Sequence, residues 1–152
     1  MLAYDLKAAN HCAGDQAILS LVLAVSEQAR LFYQRTAPLI ADNNIRRYFI
    51  ELELLHQQAA TFAAAENTKV ASDQDVNAIC QWYKDNSAEP ESEPEQQTWL
   101  AELPQQLRWQ LGTFKRLNRG LTQPDNARAL ANLTAGLQIV TDQLCPLLLR
   151  IK

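Results

Sequence analysis

The sequence predicts an all-α protein, a four-helix bundle with one long connection in its middle, and three observations carry that prediction. Apolar residues recur at three- and four-residue spacing through four long stretches. Those stretches show almost no alternating strand pattern, and only 4 glycines occur in 152 residues, too few for a turn-rich β protein. The two outer connections between the long stretches are short, whereas the central one is long, and in a bundle a long crossover lets the elements it joins run parallel. With 47% apolar and 20% charged residues, the chain has the balance of one globular domain able to bury a core.

Residues 1–14 read as a short helix through Leu2, Leu6 and Ala9 that stops at Gly14, with Asp15 as N-cap of the first long helix. That helix spans Gln16 to about Ala37, and Ile18, Val22, Val25, Ala29 and Phe32 form its inner stripe. Glu27 lies on a second stripe with Leu19, Leu23 and Leu31. Pro38 closes the helix, and Asp42 or Asn43 caps the next. Asn43 to Glu66 contains neither Gly nor Pro and places Ile45, Phe49, Leu52, Ala59, Phe62 and Ala63 at helical spacing.

The connection that follows, 67–94, carries a capping-box pattern at Ser72-x-x-Asp75 and a short amphipathic helix through Val76, Ile79, Cys80 and Tyr83. A fifth helix packed across the bundle at 73–85 is the alternative form of this segment. From Ala88 to Glu95, Glu alternates with Pro and Ser, so a flexible acidic loop is expected at about 86–96 within the single domain 1–152. The next long helix runs from about Glu95 to Arg119 with Leu100, Leu103, Leu107, Leu111, Phe114 and Leu117 inward. Pro104 should kink it or split off its first turns, and Gly120 sits at its C′ position. The last helix starts near Pro124 and Asp125 and carries Leu130, Leu133, Leu137, Val140, Leu144, Leu147 and Ile151, with Pro146 distorting its end.

Several function classes are set aside on composition. A net charge of −3 gives no basic footprint for nucleic acid or an anionic membrane surface. The longest apolar run, Leu21 to Val25, is far shorter than the roughly 20 residues a membrane span requires. The first residues lack a signal-peptide pattern. Cys12, Cys80 and Cys145 are odd in number and widely spaced, which fits a reduced, cytoplasmic chain. With two His and a single Met, zinc-hydrolase, haemerythrin-like and haem sites have too few ligands. The expected partner is another protein or a second copy of the chain.

One pair of polar residues breaks the apolar stripe of the second long helix. Glu53 and His56 are three apart, so they project from one helix face, and the alanines at 59 and 63 leave space beside His56. Glu51 has Arg47 four residues before it and reads as a surface pair, whereas Glu53 has no cation within local reach. A carboxylate so placed is hydrogen-bonded, protonated or bound to a cation.

The hairpin of Glu27 with Glu53-x-x-His56, together with the segment RRYFIEL, resembles the ferritin-like superfamily, and in size the small bacterial ferritin-like proteins. The resemblance covers residues 18–66. It implies a ferritin-like bundle and, in di-metal members, one Glu and one Glu-x-x-His from each half holding two iron or manganese ions. Carried over, Glu27, Glu53 and His56 take ligand positions, and Glu102 is the nearest candidate in the second half. That half departs from the pattern: the last helix has no Glu-x-x-His, only Asp142-x-x-Cys145, and Asp142 faces away from the core stripe. The resemblance therefore implies a degenerate di-metal site and a non-catalytic structural or binding module with no cofactor. The alternative is a metal-binding oxidoreductase that uses the Glu and Glu-x-x-His set with iron or manganese.

Overall fold

A computed structural model describes the backbone at 2–66, 71–87 and 93–150, and the side chains at 14–64, 71–87 and 98–150. Helices account for nearly all of it, and no strand occurs among the described residues. In chain order they are α1 (Leu2–Thr36), a 3-10 turn (Ala37–Leu39), α2 (Asn43–Glu66), α3 (Gln74–Asn86), α4 (Glu93–Arg119) and α5 (Pro124–Leu148). The segments 67–70 and 88–92, and with them the centre of the acidic loop expected at 86–96, lie outside the described residues. Its flanks belong to helices: Asn86 ends α3, and 93–96 open α4.

Side-chain pairs fix the direction of each helix. Phe32 near the end of α1 meets Phe49 near the start of α2, so these two form an antiparallel hairpin. Glu51 and Leu54 of α2 line one groove with Ile139 of α5, and Phe62 lines another with Ala129, so α5 runs against α2. Trp99 early in α4 touches Phe32, whereas Gly120 just past its end lies against Ile18, so α4 runs against α1 and parallel to α2. The segment opening α3 meets Arg116 of α4, and Trp82 near its end meets Glu102, so α3 runs against α4. Direction thus alternates along all five helices, and α3 fills the space between α1 and α4.

The crossover is accordingly a packed fifth helix, because Val76, Ile79 and Tyr83 are fully buried. Its cap is Asp73, whose carboxylate accepts from the Val76 amide at 3.1 Å, and not Ser72 as the capping-box pattern suggests. The same Asp73 oxygen accepts from Arg116 at 2.9 Å, a tie that no local pattern reveals. Asp42 caps α2 as one of the two expected residues, accepting from the amides of Asn44 and Ile45 at 2.8 and 3.1 Å.

Two expectations about α1 and α4 need correction. Gly14 does not end a helix; α1 is continuous through it, and Asp15 caps something else. Its carboxylate reaches across to the start of α5, where it accepts from the amides of Thr122 and Gln123 at 2.8 and 3.0 Å. It also accepts from the Thr122 hydroxyl and the Asn126 amide group, so α5 takes its cap from a residue about 107 positions away. Pro104 does not split α4, which runs unbroken from Glu93 to Arg119. Pro146 lies within α5 three residues before its C-cap, Leu149.

The apolar stripes converge on one core. Fully buried members include Leu19, Val22, Val25, Phe32, Ile45, Phe49, Leu52, Leu103, Leu107, Phe114, Leu130 and Leu144. One end of that core is aromatic: Phe32 lies with its ring centroid 5.0–6.4 Å from those of Tyr33, Phe49, Trp82, Tyr83 and Trp99. No helix among the described residues is long and apolar enough to cross a membrane.

Candidate functional site: a buried polar chain

His56 is completely buried, and its surroundings are supplied by three other helices. Its Nδ1 lies 2.6 Å from the Leu52 carbonyl oxygen, one turn earlier in α2. A carbonyl can only accept, so Nδ1 carries the proton. Nε2 is then an acceptor, and it takes a hydrogen bond at 2.7 Å from the side-chain amide nitrogen of Gln110 in α4. The Gln110 oxygen accepts from the Tyr83 hydroxyl of α3 at 2.6 Å. Tyr83 in turn is 3.0 Å from the Tyr33 hydroxyl of α1, which donates to it because the Tyr83 proton is already directed at Gln110.

The result is one directional chain, Tyr33 to Tyr83 to Gln110 to His56 to Leu52, that links α1, α3, α4 and α2. Every link is donor to acceptor, and each of the four side chains is almost wholly withdrawn from water. Buried polar groups are tolerated where they are partnered in this way. The Tyr33 ring stacks on the imidazole with centroids 5.7 Å apart, which fixes the ring plane as well as its hydrogen bonds.

Burial also sets the protonation states. Desolvation lowers the His56 pKa to about 4 against a smaller opposing effect of the Leu52 carbonyl, so the imidazole is neutral near pH 7. Burial drives both tyrosine hydroxyls upward, and at Tyr83 the bond donated by Tyr33 opposes the rise. The chain holds its protons.

The four sequence-derived ligand positions are not brought together. Glu27 is exposed on α1 and lines a surface groove with Cys80 and Lys84 of α3. Glu53 is half-buried on α2, while Glu102 is exposed on α4 and accepts from the Trp82 indole nitrogen at 2.7 Å. His56 points into the core with both nitrogens engaged. No group of three or more His, Cys, Asp or Glu side chains able to hold a metal occurs among the described residues. Asp142 is exposed, in keeping with its position on α5.

Gln110, Tyr33 and Tyr83 are partners that residue spacing along α2 does not reveal. A signal for Gln110 exists: it lies three residues after Leu107 and four before Phe114, on the same inward face, as a polar interruption of an apolar stripe. The two interruptions, His56 and Gln110, meet.

No protein-family model, curated protein or solved structure matches this chain.

Proposed function

We propose that this protein is a non-catalytic helical module of ferritin-like architecture, a structural or binding unit whose di-metal site is degenerate. Two features of the fold support the ferritin-like part: each half of the chain forms an antiparallel hairpin, and the crossover through α3 leaves α2 and α4 parallel. The observation that carries the functional part is the engagement of His56. A metal ligand needs a free imidazole lone pair, and the Nε2 lone pair is directed at Gln110. Using it for a metal would leave the Gln110 amide buried without a partner, at a cost of roughly 1–3 kcal/mol. On this reading the Glu-x-x-His position serves the fold: a ligand-type histidine accepts from Gln110 and passes the four-helix hydrogen-bond chain on to the Leu52 carbonyl.

Metal analysis of protein purified without chelator tests the proposal. Iron, manganese and zinc near zero per chain, in wild type and His56→Ala alike, are expected. About one metal per wild-type chain that is lost in His56→Ala, with an unfolding midpoint that rises on adding that metal, would favour the oxidoreductase reading with Glu27, Glu53, His56 and Glu102.

A further inference from the structure

The α4–α5 surface opposite the buried chain carries a groove of about 430 Å³, within the range of small-molecule sites. Arg108, Gly112 and Lys115 of α4 line one side and Gln138, Thr141 and Cys145 of α5 the other, and the Gln138 side-chain oxygen accepts from the Lys115 ammonium at 3.1 Å. Asp142 is occupied by the other end of Gln138, which donates to it at 2.9 Å. Arg108 makes no hydrogen bond or ion pair among the described residues.

Two observations at the centre of this groove have no explanation in the fold. Thr141 is only 2% exposed and lines the groove, yet its hydroxyl has no hydrogen-bond partner among the described residues. Helical threonines ordinarily bond back to the carbonyl four residues earlier, as Thr36 and Thr134 do here. Gly112 lies within α4, where glycine is the least favourable residue after proline. A Cβ built on it would meet nothing within 4 Å, so packing does not demand the glycine. Its missing side chain leaves open space on α4 between Arg108 and Lys115, two cations one helical heptad apart, in the groove that Thr141 also lines.

We propose that this groove binds a small organic anion, its carboxylate or phosphate seated over Gly112 between Arg108 and Lys115 and accepting from the Thr141 hydroxyl, with a short apolar portion against Pro146 and Leu149. Arg108 supplies the fork geometry that pairs with either anionic group. Lys115 adds a second donor from the other end. The proposal gives a ligand class to the binding-module reading and rests on it, but the two fail separately: metal content decides the first, and anion binding decides this one.

The test is a titration of the full-length protein with hexanoate, inorganic phosphate and hexylammonium, followed by backbone amide NMR. Hexanoate should saturate at a dissociation constant on the order of 1 mM, as expected for a ligand of so few atoms, with the largest shifts at Gly112 and Thr141. Phosphate should bind more weakly at the same amides, and hexylammonium should leave them unmoved. Arg108→Gln should weaken hexanoate by about tenfold, and Thr141→Val should weaken it while leaving the unfolding midpoint unchanged or higher, because an unpartnered hydroxyl is removed. Gly112→Leu fills the groove with a better helix former, so it should abolish binding in a protein that folds at least as well. No saturable shift with either anion, equal binding of hexylammonium, or undiminished binding by Gly112→Leu would overturn the proposal.

Discussion

Replacing Asp15 with alanine tests how far the start of α5 depends on α1. The carboxylate accepts four hydrogen bonds, two of them from the backbone amides of Thr122 and Gln123 at the opening of α5. No side chain of α5's own N-cap residue, Gln123, does this work. Losing an N-cap costs about 0.5–2 kcal/mol, and a bond to an ionised acceptor contributes about 1.5–3 kcal/mol. Thr122 and Gln123 are exposed, so water recovers part of the loss. The expected destabilisation is therefore about 2–3 kcal/mol for Asp15→Ala and roughly half of that for Asp15→Asn, which keeps one acceptor. Burial alone would raise the Asp15 pKa, but the four donors outweigh it and hold the value below the ordinary 3.8. The native state thus binds the proton less readily than the unfolded chain. The contribution is complete above about pH 4 and is lost as pH falls through the lowered native value. Denaturant unfolding at pH 7, with hydrogen exchange at Thr122 and Gln123, measures it. A loss below about 0.5 kcal/mol, or unchanged protection at those two amides, would show that α5 does not depend on Asp15 for its cap.

His56 is neutral and buried with a pKa near 4 against 6.5 when unfolded, so between those values the unfolded chain binds more protons than the native one. Stability should be complete above pH 6.5 and fall by about 3 kcal/mol on acidification to pH 4, a slope that His56→Leu should lack. Tyr83→Phe strands both the Gln110 oxygen and the Tyr33 proton and should cost about 2–3 kcal/mol, whereas Tyr33→Phe removes only the terminal donor and should cost about 1 kcal/mol. Phe32→Ala empties the centre of the aromatic cluster and should cost about 3–5 kcal/mol by denaturant unfolding.

How much of this was legible in the sequence depended on range. Periodicity placed the four long helices, all but the start of α1, because 3.6-residue spacing is a local property, and Leu103, Leu107 and Phe114 lie inward where their stripe put them. Asp42 was readable as a cap because its partners are two and three residues away. Asp15 was not, because its partners are more than 100 residues distant and one carboxylate looks alike in either role. Ser72 and Asp73 competed for the same cap, and Arg116, far along the chain, sits on the winner. At the site, His56 stood out as a polar residue on an apolar stripe, but spacing along one helix cannot say what faces it. Its partner Gln110 carried the same mark on another helix; that the two meet is a property of packing.

The nitrogen-15 spectrum of the His56 imidazole tests its structural role most directly. A neutral ring with the proton on Nδ1 and a hydrogen-bonded, unmetallated Nε2 is expected at pH 7. It should remain unchanged on addition of zinc, manganese or ferrous iron and protonate only near pH 4. A proton on Nε2, or an Nε2 resonance that shifts or broadens stoichiometrically with added metal, would contradict the structural role and return His56 to the ligand set.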